Sequence, residues 1–401
     1  MKHIKDPIHG YIDIPEEELS LINSSEFQRL RQIKQLGLSD TVYPSATHTR
    51  FTHSIGVMHV AGQLAESIGA DDDIIRLNKI AGLLHDTGHL PFSHTLESIL
   101  NEREGLTHED ISCDYVDTLA TKESTTFPVE PDYVKSLIKG ESHLINTISG
   151  DIDADRIDYL LRDSYHTGID FGNFEYDTLL KFAKLINGTV GFDHKSLQSV
   201  ESLLDARMKM NYSVYSHDTV SIIETMLKRS VEYYLDNTDT TILDLVGKTD
   251  WELHSDITNS NVSNSKELFN RIQNRNLYKT CFLAPLQDAS EDKIKHISQF
   301  LDNVKEHEKN IAEIADIDRK YVFMNPPKFK SNEKINIPIN TPLREIKSLE
   351  DISSKPNALR ESSMHHENIN IFCPPEYMSE VYFATKTYFE TIDEINILNY
   401  V

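Results

Sequence analysis

LLHDTGHLPFSHTLE, residues 83 to 97, begins as the apolar end of a helix and then turns polar, with His85 and Asp86 adjacent, Gly88 close behind, and His89, His94 and Glu97 following. An unpaired carboxylate in apolar surroundings costs several kcal/mol, and a cation satisfies both it and the neighbouring imidazole. The pair therefore points to metal ligation. The competing reading is a hydrogen-bonded structural His–Asp pair. The histidine density weighs toward the metal, because His108 also lies close by in the polar run LTHED.

Outward from this stretch, two further ligands are expected. His53 stands in RFTHS at a helix start, where it could instead cap the helix, and Asp155 stands in IDADRIDYL. Two imidazoles and two carboxylates without a thiolate suit Mn, Fe, Co, Ni or Zn, and Mg less comfortably. Open coordination positions would hold water and a phosphate oxygen.

The surrounding pattern is helical. Apolar residues recur at helical spacing from Ser54 to Leu100, a second helix begins near Gly150, and residues 197 to 236 contain no Pro or Gly. IHGYIDI, residues 8 to 14, reads as a strand or hairpin. Ser25 and Gln28 form a capping-box pattern that opens EFQRLRQIKQL, with Gly37 as its stop. After Asn237 the pattern becomes α+β: KYVFM, INIPI and NINIF read as strands, and PEYMSEVYFATKTYFETI as the last helix. The expectation is a mainly α protein, with a helical core and N-terminal hairpin over 1–235 and a smaller α+β C-terminal lobe over 236–401. The length suits two such units.

The composition, 39% hydrophobic and 26% charged, is that of a globular chain, and the net charge of −24 argues against a general grip on nucleic acid. Cys113, Cys281 and Cys373 are odd in number and far apart, which fits a reducing compartment. No run approaches a membrane helix, and MKHIKDPIHG lacks the apolar core of a secretory signal. The expected location is cytoplasmic.

The ordered motifs R-F-x-H-S-x-G-V (50–57), L-L-H-D-x-G-H-x-P-F-S-H (83–94), T-H-E (107–109) and I-D-x-D-R-x-D-Y-L-x-R-D (152–163) resemble the HD-domain deoxynucleoside triphosphate triphosphohydrolases. K-D-P-I-H-G-Y-I and F-Q-R-L-R-Q-I-K-Q-L-G belong to the same resemblance, which spans roughly residues 5 to 285. It implies an HD-type catalytic core and a divalent metal on His53, His85, Asp86 and Asp155, with additional Mg on the triphosphate. The implied reaction is water attack at the α-phosphorus of a dNTP, releasing deoxynucleoside and intact triphosphate. His89, His94, Glu97 and His108 would be the catalytic group. A deoxynucleoside alkoxide leaves poorly, so an acid is needed; His94 is the candidate, Glu97 and His108 orient or charge it, and His89 meets phosphate.

Arg50, Arg156 and Arg207 can supply anion binding through bidentate bonds to phosphate oxygens, although each taken alone is more often a surface residue; the remaining contacts are what the resemblance implies. Gln35 and Leu36 border sugar and base, Tyr159 and Asp163 contact sugar or phosphate, and Tyr215 packs on the sugar. Asp155 and Tyr159 are four apart on one helix face and can meet one substrate. A tyrosine against C2′ would exclude a ribose hydroxyl.

The resemblance also implies a dimer or tetramer with regulatory nucleotide sites between subunits. Asn23, Gln28, Arg31, Lys195, Arg275 and Lys279 fall on such positions. Asn23 replaces an expected carboxylate, and Thr178 and Asp193 replace expected cations. Weaker or absent guanine-nucleotide activation follows. The alternatives are an HD phosphohydrolase or phosphodiesterase for another nucleotide, or a sensor of nucleotides or nucleic acid with weak catalysis.

Overall fold

The computed structural model describes residues 1–286, 289–327, 335–364, 368–392 and 397. The chain is mainly α, a helical core followed by a smaller α+β C-terminal region. At its centre runs the helix Arg50–Ser67, which buries side chains on every face, from Phe51 and Ile55 to Val60 and Leu64. A helix apolar all round is an interior helix. The helix Asp72–Leu84 packs along it at close range, because Gly82 lets the Val57 backbone approach; an added Cβ would sit 3.2 Å from it. Asp71 caps that second helix by accepting from Ile74 N at 2.9 Å. The helix Ala154–Thr167 crosses the central helix, capped by Asp153 at one end and ended by Gly168 at φ 74°.

The hairpin Lys2–Asp6/Gly10–Ile14 pairs antiparallel, and Asp6 closes its turn by accepting from Ile8 N and His9 N. A second hairpin, Ala183–Ile186/Thr189–Asp193, turns through Asn187 and Gly188, both at positive φ. Its second strand, Thr189–Asp193, pairs in parallel with Pro338–Asn340, so Ile337, Ile339 and Leu349 return to the first hydrophobic core. A second core gathers around the helix Asp218–Asp236, from Leu96 to Phe269. A third lies in the C-terminal region, where the sheet Lys279–Pro285, Asn368–Cys373, Phe323–Asn325 is backed by the helices Val304–Ala315 and Met378–Thr391.

The expected helix EFQRLRQIKQL is not continuous. It runs for Ser25–Gln28, tightens into a 3-10 turn over Arg29–Gln32, and is capped by Ser24, whose Oγ accepts from Phe27 N. Main-chain pairing decides this: Arg50 N donates to Ile33 O and Gln35 N to His48 O, both at 3.0 Å, so residues 33 to 35 are extended. Tertiary pairing outweighs helix propensity here. In KYVFM the strand begins only at Phe323, and in INIPI only Pro338–Asn340 pair. NINIF is a strand over Asn368–Cys373.

Candidate metal centre and substrate pocket

His53 stands one turn into the central helix, His85 at the end of Asp72–Leu84, and Asp155 in the first turn of Ala154–Thr167. The fold brings these together with Asp86. His53 Nε2 lies 3.0 Å from Asp155 Oδ1 and 3.7 Å from Asp86 Oδ2. His85 Nε2 lies 3.3 Å from Asp86 Oδ1 and 3.7 Å from Asp155 Oδ1, yet makes no hydrogen bond. Because His85 Nδ1 donates to Gly82 O at 2.8 Å, Nε2 is the ring nitrogen left to meet a cation, buried and aimed at two carboxylates. Such an atom is satisfied by a cation between them, so these residues fit a divalent metal. Ligand atoms of His53, His85 and Asp86 all lie within 4.8 Å of one another.

The electrostatics agree. Burial opposes charge on His53, but Asp155 and Asp158 outweigh it and lift its pKa to about 10. Burial likewise opposes ionisation of Asp86, yet Arg50 and His85 hold its carboxyl well below the usual range, and His53 and His85 do the same for Asp155. Both carboxylates are ionised. The field that holds a proton on His53 is the one a divalent ion would exploit, releasing that proton.

Behind the cluster lies a layer that the sequence reading did not single out. His53 Nδ1 donates to Asp158 Oδ2 at 2.8 Å, and Arg162 grips Asp158 through Nε and Nη2 while Nη1 reaches Asp6. His9 Nε2 completes the set, 2.7 Å from Asp158 Oδ1. Gly56 permits this approach, since a Cβ there would lie 1.9 Å from Asp158 Oδ1. These residues stand inside the quoted motifs; what no sequence pattern conveys is that they meet.

On the other side of Asp86 the four candidate catalytic residues form one cluster. His89 and His108 stack at 3.9 Å between ring centroids, 12° from parallel. His108 Nδ1 is paired with Glu97 Oε1, and His94 Nδ1 lies 3.3 Å from Glu97 Oε2. Burial and the nearby Arg50 push the His89 imidazole well below its usual pKa, which favours the neutral ring, and burial fails to stop His108 and His94 from holding Glu97 well below the usual range. His94 is the open member, its side chain 68% exposed. Arg50 links this cluster to the metal candidates: Nη1 bonds Asp86 Oδ2 at 2.5 Å, Nη2 lies 3.2 Å from His94 Nε2, and Nε donates to Ser93 Oγ.

Two turns along the helix from Asp155, Tyr215 Oη donates to Asp163 Oδ2 at 2.8 Å, and Tyr159 meets the Tyr215 ring edge-on at 6.1 Å. His48, also absent from the sequence reading, backs Asp163 at 2.8 Å. Gln35 is buried with Oε1 unpaired, and Leu36 packs half-buried on the first core. Arg207 is exposed and acts on Tyr159 through its charge. Arg156 is already engaged, paired with Asp153 and Gly150 O.

The candidate regulatory positions separate into groups. Gln28 bonds Ile22 O beside exposed Asn23, and Arg31 bonds Gln28 and lies 3.5 Å over the Phe51 ring. Arg31 and Arg275 line one cavity of about 450 Å³ with Trp251 and His254. Lys195 lies elsewhere, over Phe182, and Lys279 begins the strand Lys279–Pro285; neither lines that cavity. Asp193 pairs with Lys184.

Fold and site together define a mainly helical protein with a histidine–aspartate centre suited to a divalent metal. Comparison gives the family: the HD domain matches residues 50–163 and the HD associated region residues 174–396, and the chain belongs to the HD-domain phosphohydrolases. An uncharacterized protein of Methanocaldococcus jannaschii is 37% identical, over 95% of this chain and 81% of its own length. The deoxynucleoside triphosphate triphosphohydrolase SAMHD1 homolog of Dictyostelium discoideum is 28% identical, over 93% and 77%. A crystal structure of a phosphohydrolase from Bacteroides thetaiotaomicron superposes with TM-score 0.73 at 25% identity, covering 93% of this chain and all of that one. Among the described residues no helix is long and apolar enough to cross a membrane.

Proposed function

We propose that this chain hydrolyses deoxynucleoside triphosphates to deoxynucleoside and triphosphate. The observation that carries the reading is the run of one helix: Asp155 faces the metal cluster, and Tyr159 and Asp163, on the same helix, hold the Tyr215 wall beside it. A phosphoryl site with an aromatic wall held by the same helix suits a nucleoside whose C2′ carries no hydroxyl. The resemblance to enzymes of that activity adds to this support.

His53, His85, Asp86 and Asp155 would hold the metal, which when bound polarises the phosphoryl oxygen and lowers the pKa of water. The chain's own residues do the rest. As water oxygen bonds to the α-phosphorus and the bond to the 5′-oxygen breaks, His94 delivers a proton to that leaving oxygen. Glu97 orients His94 and His108 through its two oxygens. Arg50, His89 and the exposed Arg207 would contact the phosphates. A divalent Fe, Mn, Ni, Co or Zn ion with Mg on the triphosphate, a cytoplasmic setting and a homo-oligomer belong to the same proposal.

The test is incubation of metal-loaded protein with each dNTP and NTP, with products resolved by ion-exchange chromatography. Triphosphate with deoxynucleoside is the expected result. Pyrophosphate with monophosphate, or turnover of another phosphate ester alone, overturns it.

A further inference from the structure

Asp250 opens the helix Asp250–Asn259, but the helix start does not need its side chain, because Thr249 and Glu252 cap it reciprocally. Instead the buried carboxylate turns inward. Oδ1 accepts from Phe92 N at 2.7 Å and Oδ2 from Lys34 N at 3.0 Å. These two amides belong to separate segments, and each segment borders the site.

Phe92 and Ser93 hold φ of 56° and 50°, a conformation that non-glycine residues keep only when their surroundings enforce it. The helix His94–Glu104 starts immediately after them, so this turn sets where His94 points. Lys34 lies between Ile33 and Gln35, whose main chains pair with Arg50 and His48. Ser93 Oγ also reaches Lys34 O at 3.4 Å. Only a carboxylate offers independent acceptors to two amides; an asparagine in its place has one oxygen and must aim an NH₂ group at the second N–H.

We propose that Asp250 is a positioning residue for the reaction, one carboxylate that ties the Phe92–Ser93 turn aiming His94 to the Lys34–Leu36 segment bordering the base. The inference rests on the reading of the site as a nucleotide hydrolase. It involves no metal ligand, so metal content and catalysis separate in the test.

Full-length wild type and Asp250→Asn are compared after metal loading, using the substrate the wild type cleaves fastest, with Leu253→Ala as control. Leu253 is a core residue of the same helix, and its side chain has no acceptor to offer either amide. The expected result is a fall in kcat of about 10–100-fold for Asp250→Asn at unchanged metal stoichiometry. Faster amide exchange at Phe92 and Lys34 should accompany it. Leu253→Ala should lose thermal stability with little change in kcat. Wild-type kcat in Asp250→Asn overturns the proposal, as does an equal loss of kcat in Leu253→Ala at matched stability. If the wild type releases no triphosphate, the functional reading fails by itself. Amide exchange at the two positions still decides this inference, and unchanged exchange overturns it.

Discussion

Asp158 accepts from His53 Nδ1 at 2.8 Å, and its other oxygen is held by Arg162 and His9. The carboxylate thus fixes the orientation of His53 and, once a metal displaces the Nε2 proton, its tautomer, with Nε2 facing Asp155 and Asp86. Asp158→Asn should weaken metal affinity by about 10–100-fold. Competition with a chromophoric chelator measures this, and an unaltered affinity would show that the backing carboxylate is dispensable.

Gly56 tests the same layer sterically. A methyl group there would lie 1.9 Å from Asp158 Oδ1 and 2.5 Å from Arg162 Nη2, and both partners are buried and fixed. Gly56→Ala should cost about 3 kcal/mol. Urea unfolding of the metal-free protein reads that loss, and a wild-type midpoint would contradict the tight approach.

His94 should behave oppositely. With its side chain 68% exposed, His94→Ala leaves the core intact, so thermal stability should hardly move. Turnover should fall by about 10²–10⁴-fold, as for loss of a general acid. Steady-state kinetics with metal analysis check this, and retained kcat would remove His94 from the acid role.

A pH effect is expected from His59, whose ring lies 5.4 Å from that of His9. Burial first, then the neighbouring His9, lowers its pKa from 6.5 to about 4. A depressed folded pKa means that the associated stability is full above 6.5 and is lost as pH falls toward 4. His59→Gln does not titrate. The melting-temperature difference between wild type and variant should therefore shift against the wild type across that window, and parallel curves would refute the assignment.

Guanine-nucleotide control is expected to be weak. Asn23 offers no carboxylate, and Thr178 and Asp193 offer no cations. Hydrolysis of a single dNTP should proceed without GTP; strict dependence on added GTP in the product assay would reverse this view.

Much of the fold was legible because it is local. The helices around His53, His85 and Asp155 follow from apolar spacing, and the strand at Asn368–Cys373 from its β-branched run. The hairpin at Asn187–Gly188 carries an equally local signal, an Asn-Gly turn between two short strands. The helix expected through EFQRLRQIKQL stops short because residues 33 to 35 pair with 48 to 50, a long-range contact that no local pattern carries.

The sequence by itself determined which chemistry the chain carries: the residue types, their order, and the spacing that puts Asp155, Tyr159 and Asp163 along one helix. Periodicity encodes this because neighbours on a helix lie within a few residues of one another. Tertiary structure alone decided that Asp158 backs His53, that Arg50 joins Asp86 to His94, and that Asp250 ties two distant loops. These contacts depend on distances of about 3 Å between segments far apart in the chain, and packing, rather than any local pattern, sets them.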